Sequence, residues 1–62
     1  MCDINVFVVK NGSEEKIMEN VDIIKAVPGG VQLVNIFGEE RVVNARLVYY
    51  NNSEKRMVFA PA

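Results

Sequence analysis

A small antiparallel β-barrel or half-barrel of six or seven strands is the fold class this sequence predicts, and three observations predict it. Val and Ile supply 16 of the 62 residues, whereas Leu supplies two. Branching at Cβ restricts χ1 and suits a pleated sheet better than a helix. Turn signals recur at short intervals, at Asn11-Gly12, Glu19-Asn20, Pro28-Gly29-Gly30, Gly38 and Asn51-Asn52-Ser53, where the residue types tolerate or preset turn dihedrals. Between these breaks apolar residues alternate, and several runs carry them on both faces. One flat sheet cannot hide both faces. The sheet is therefore expected to curl in the SH3-like or OB-like manner and to cover part of its outside against a second copy. A chain of this length buries only about 60% of its unfolded surface, which also argues for a homodimer. Residues 1–62 read as one domain.

Six strands are expected, taken in order. Cys2–Lys10 places Ile4, Val6 and Val8 on one face, and that uniformly aliphatic set is the candidate core. Glu14–Met18 follows the Asn11-Gly12 hairpin signal. Val21–Val27 lines Val21, Ile23 and Val27 on one face, interrupted by Lys25. Val31–Phe37 sets Val34 and Ile36 with Gln32 against Val31 and Leu33 with Asn35. Glu40–Tyr49 alternates Val43, Ala45, Leu47 and Tyr49 with Val42, Asn44, Arg46, Val48 and the following Tyr50. Arg56–Ala60 opposes Met57 and Phe59 to Val58. No ten-residue stretch has capped helical periodicity.

The composition excludes much chemistry. Histidine is absent, so the commonest general base near neutral pH and every His-activated nucleophile are missing. The chain is expected to be non-catalytic. One cysteine forms no internal disulfide and no Cys₄ or Cys₂His₂ zinc site; it suits a reducing, cytoplasmic setting. The longest apolar run is far too short to span a membrane. Asp3 and Asn5 break any secretory pattern. A net charge of −1 argues against a phosphate-binding surface.

Cys2 is the one chemically loud residue. It follows Met1 directly, and an initiator Met is usually removed when the next side chain is small. Removal leaves an α-amine and a thiol on adjacent carbons, able to close a five-membered chelate around a soft or borderline metal. With Met1 retained, the Cys2 amide nitrogen stands in the same place. Two chains about a two-fold axis would supply an N₂S₂ set, which suits Ni(II) or Cu(II) in a plane and Zn(II) in a tetrahedron. The opposing interpretation is a small buried hydrophobe with no ligand role.

Other groups rank lower. Phe37-Gly38-Glu39-Glu40-Arg41 could seat a hard cation but reads better as a hairpin turn with solvated charges, as does Glu14-Glu15-Lys16. Asp22 is expected to face solvent. Tyr49, Tyr50 and Phe37 with Arg46 could make a weak RNA-stacking platform. Lys10, Lys16, Lys25, Arg41, Arg46, Lys55 and Arg56 are too dispersed to form a basic stripe. A small-barrel RNA-binding module with an incidental Cys is thus the alternative function.

Motifs along nearly the whole chain carry a resemblance. They are Met1-Cys2, Val6-Phe7-Val8-Val9, Glu19-Asn20-Val21, Gly29-Gly30 with Val31, Leu33 and Val34, Ile36-Phe37-Gly38-Glu39-Glu40, and Arg56-Met57-Val58-Phe59. The sequence resembles the CooT-type nickel-binding accessory proteins of carbon monoxide dehydrogenase maturation. That resemblance implies a homodimer holding one Ni(II) through the second-position cysteine, here Cys2, and passing it to a nickel-dependent enzyme. A family of hydrogenase maturation chaperones also begins Met-Cys, but usually continues Ala-Ile-Pro where this chain has Asp3-Ile4-Asn5.

Overall fold

The computed structural model describes residues 3–62. Six strands form one mixed sheet: β1 (Ile4–Lys10), β2 (Ser13–Val27), β3 (Gly30–Asn35), β4 (Glu40–Val43), β5 (Ala45–Asn51) and β6 (Arg56–Pro61). Their order across the sheet is β4-β3-β2-β1-β6-β5. The sheet curls into a half-barrel. Among the described residues no helix is long and apolar enough to cross a membrane.

The expectation of an all-antiparallel sheet is corrected, because β1 and β6 pair in parallel, with Asn5 beside Arg56 and Val8 beside Phe59. One expected turn was assigned the wrong geometry, and with the path through Asn44 it explains the parallel pair. Glu19-Asn20 is not a turn. The chain bends there, with Asn20 at φ 56°, and continues as a single 15-residue β2. Its first half pairs with β1, and its second half pairs with β3. Conversely, the expected strand Glu40–Tyr49 is interrupted at Asn44. It passes from the edge beside β3 to the edge beside β6 without reversing. Counting each bent strand once leaves an up-and-down path of five passes. An odd number of alternating passes brings the first and last strands together pointing the same way.

Val21 stands at the bend, paired with Ile4 on one side and Asn35 on the other. The core gathers around this junction: Ile4, Val6, Val21, Leu33 and Phe59 are buried. Val8, Ile17, Met18, Val31, Val43, Ala45 and Met57 pack against them. The Ile4/Val6/Val8 face is the core face, as expected. On β2 the register shifts between Val21 and Ile23, so these two do not share a face: Val21 is buried and Ile23 is exposed. On β3 the inward set is Val31, Leu33 and Asn35; Ile36 lies outside. Burying Leu33 at about 25 cal/mol per Å² of apolar surface is worth roughly 1.5–3 kcal/mol.

Asn35 is the buried polar residue of this core, and its bonds explain its place there. Its Oδ1 accepts N–H bonds from Phe37 (3.1 Å) and Glu39 (3.0 Å). Its Nδ2 donates to the Glu39 carboxylate. The Gly38 N–H closes the turn on the Asn35 carbonyl at 3.1 Å. One side chain thus satisfies backbone donors that the β3–β4 turn would otherwise leave unpaired.

Gly30 marks the tightest approach. Its φ is 144°, and a Cβ there would lie well inside contact with the Val43 carbonyl. Gly12 also has positive φ, at 78°, but open space around it. Gly30→Ala should therefore cost about 3 kcal/mol or more, and Gly12→Ala only about 1 kcal/mol. Urea denaturation of the two variants checks this: equal midpoints would show that the Gly30–Val43 approach imposes no constraint.

Candidate functional site

Cys2, the residue singled out for metal binding, lies outside the described residues. What the structure shows is the frame into which the chain start feeds. The Asn5 N–H donates to the Lys55 carbonyl at 2.8 Å, and Ile4 is buried against Val21. The Lys55 ammonium approaches the Asp3 carboxylate at 3.9 Å, a partly exposed pair of small energetic weight. The turn carrying Lys55 is itself braced. Lys55 sits at φ 53°, and its N–H donates to the Asn52 carbonyl (3.1 Å). The Glu54 N–H donates to Asn51 Oδ1 (3.1 Å), and the Tyr50 hydroxyl donates to Asn52 Oδ1 (2.9 Å). Residue 3 is thereby tied to the opposite end of the sequence.

The other candidates resolve into structural roles. The Ile36–Arg41 block forms the β3–β4 turn and the strand after it. Its Glu39 is bonded to Asn35, and its Glu40 accepts from Gln32 Nε2 at 3.1 Å. Among the described residues no group of three or more acidic or thiol side chains is placed to hold a metal. Lys16 pairs with Glu19 at 3.1 Å on an exposed face. Asp22 is exposed, as expected.

Tyr49 and Tyr50 do not make a shared platform. Tyr49 pairs with Val58 and Tyr50 with Met57, so the two rings leave opposite faces of β5. On the convex face Tyr49 joins a cluster that local sequence reasoning missed. The Arg56 guanidinium lies 3.8 Å from the Phe7 ring centroid and donates to Glu14 Oε1 at 2.6 Å. The Tyr49 hydroxyl faces the same carboxylate at 3.4 Å. Beneath them Val58 is fully buried. Cation–π, ion pair and hydrogen bond here tie β2, β1, β6 and β5 together. The partners are too far apart in sequence for any spacing rule to join them.

The comparisons with known proteins fit this architecture. A family model described as the CO dehydrogenase accessory protein CooT matches residues 1–59. A crystal structure described as CooT from Carboxydothermus hydrogenoformans aligns with a TM-score of 0.90 at 28% sequence identity, covering 98% of each chain. No curated protein matches the chain.

The convex cluster sets a measurable titration. Loss of solvent, then the Glu14 charge, hold the Tyr49 phenol above its ordinary pKa of 10.0, against the opposing pull of Arg56. The neutral phenol is the favoured form. Its contribution to stability is present below pH 10 and is lost as pH rises through the elevated folded value. In a Tyr50→Phe background, absorbance titration should show Tyr49 ionising above 10, and Glu14→Gln should move it back toward 10. No movement on Glu14→Gln would remove the carboxylate as a cause.

Proposed function

The chain belongs to the CooT family of CO dehydrogenase accessory proteins, and on that footing we propose that it binds Ni(II) as cargo through Cys2. In this reading two chains hold one ion between them and pass it toward the nickel-dependent dehydrogenase. The observation that carries it is the match of residues 1–59 to the family. The donor chemistry supports it. The sequence offers one thiol and no imidazole, and a thiolate with an adjacent main-chain nitrogen is a strong-field pair suited to planar Ni(II). Each chain supplies two donors, and a two-fold axis completes four.

The frame around Asp3 gives this reading a mechanical basis. The strand register fixes where β1 begins, and the Lys55 turn fixes what stands beside it. Cys2 is one residue beyond that anchored point. A donor pair delivered from an anchored backbone loses less conformational freedom on binding than one at a free end. No acid–base machinery is required, since transfer is an exchange of ligands on the ion. The stacking alternative loses support because Tyr49 and Tyr50 leave opposite faces of β5.

Nickel titration of metal-free protein tests the reading. Thiolate-to-nickel charge-transfer absorption should grow to a plateau at one ion per two chains and vanish in Cys2→Ser. Equal uptake by wild type and Cys2→Ser would end it. Thiol and amine must both lose protons to bind, from ordinary values of about 8.5 and 7.7–8.0. Affinity should therefore fall as pH drops below about 8, with proton release measurable in weakly buffered solution. A flat profile between pH 6 and 9 would point to a different donor set.

A further inference from the structure

Two unpaired strand edges border the open side of the half-barrel. The first half of β2 pairs with β1 and has no strand on its other side, because β3 takes up only the second half. β4 ends the sheet. Between these edges runs a groove in two compartments that share Ile17 and Arg41. The outer compartment holds about 450 Å³. The inner one holds about 230 Å³, equal to about eight waters at about 30 Å³ each and roomy enough for one aliphatic side chain. Its floor is the margin of the core, at Val8, Ile17, Val43 and Ala45.

Three charged side chains stand at the inner compartment on the core face of their strands. Glu15 pairs with Val8, and Arg41 pairs with buried Leu33. Lys10 follows Val8 by two residues on β1 and so shares its face. Such positions usually carry apolar side chains, so charge here calls for a reason. Neither Lys10 nor Arg41 has an ion-pair or hydrogen-bond partner among the described residues. Two cations against one acid leave the inner compartment positive. The outer compartment is the reverse, with Glu19, Glu39 and Glu40 against Lys16.

We propose that this groove receives an extended segment of a partner protein, added as a strand to the free edge of β4, with basic, aliphatic and acidic side chains at alternate positions. The aliphatic side chain lies over Ile17 and Val43. The acidic one reaches Lys10 and Arg41, and the basic one meets the acidic outer compartment. Alternate positions of a strand share a face, so one segment of five residues serves all three contacts. The β4 edge suits such an addition. It pairs with β3 in unbroken register at four successive residues, whereas the edge strand β5 is irregular between Leu47 and Tyr49, which blunts pairing. Main-chain bonds to a regular edge give affinity, and alternate side chains give specificity. A second copy of this chain is a poor occupant, since no segment of its 62 residues places basic, aliphatic and acidic side chains at alternate positions in either direction. The groove lies at the far end of β1 from Ile4, about 20 Å away at about 3.3 Å per residue, and the proposal stands independently of the nickel reading.

Panning a phage-displayed random heptapeptide library against the full chain tests the proposal. Enriched sequences should carry the alternate basic, aliphatic and acidic pattern. A synthetic peptide of enriched sequence should protect amides within residues 40–43 from hydrogen exchange. Its affinity should fall at least tenfold for the double variant Lys10→Ala/Arg41→Ala, both at exposed positions, with unchanged circular dichroism. Lys25→Ala and Cys2→Ser should bind it like wild type. Methylating alternate backbone nitrogens of the peptide should abolish binding in one of the two registers, because it removes the donors that face β4. A library with no enriched pattern would overturn the proposal, as would equal affinity for wild type and the double variant, or protection at residues 45–51 instead. Binding that ignores methylation in both registers would mark a carboxylate ligand without strand addition and would also overturn it. So would protection of 40–43 that grows with protein concentration in the absence of peptide, which would give the edge to a second copy.

Discussion

The bend in β2 at Asn20 and Val21 is the constraint on which the rest of the molecule depends. A straight strand of 15 residues would pair with both neighbours along one plane and expose both faces of a flat sheet. The left-handed residue at Asn20 and the register shift beside Val21 give the first half of β2 to β1 and the second half to β3. An irregularity of this kind bends the strand and increases its twist. The concave side then closes over Val6, Leu33 and Phe59. The core exists because the sheet folds about this point, and Ile4, Val21 and Asn35 meet there because it does.

A second tier of contacts holds the curl from outside. Arg56 lies on Phe7 and reaches Glu14, and Tyr49 faces the same carboxylate. Together they cover Val58 on the convex face. The combination is polar at its rim and apolar beneath, which suits a face that is only half dry. Asn35 does the equivalent work at the β3–β4 turn, where one amide side chain replaces several backbone partners.

Alternation was readable from the residues because burial acts on one face at a time: Ile4, Val6 and Val8 on β1, and Leu33 with Asn35 on β3, follow a period of two. Chain direction was not readable. Glu19-Asn20 and Asn44 have the same composition whether the chain reverses or only bends, and that choice is made by tertiary packing. The parallel pairing of β1 with β6 follows from both choices together. Cys2 stood out through its position and its solitude, which are sequence properties. The Lys55 turn beside Asp3 did not, because the two are joined only by the path of the sheet. The same holds for Glu14 and Arg56.

That path has a temporal meaning. Asn5 to Val8 are anchored by Lys55 to Phe59, which emerge far later during synthesis. Closing a loop of this span is entropically demanding, and pairings so distant along the chain form late. A nascent polypeptide from which β6 has not yet emerged has no partner for that edge of β1. β1 thus keeps one unpaired edge until β6 arrives, a consequence of connectivity alone.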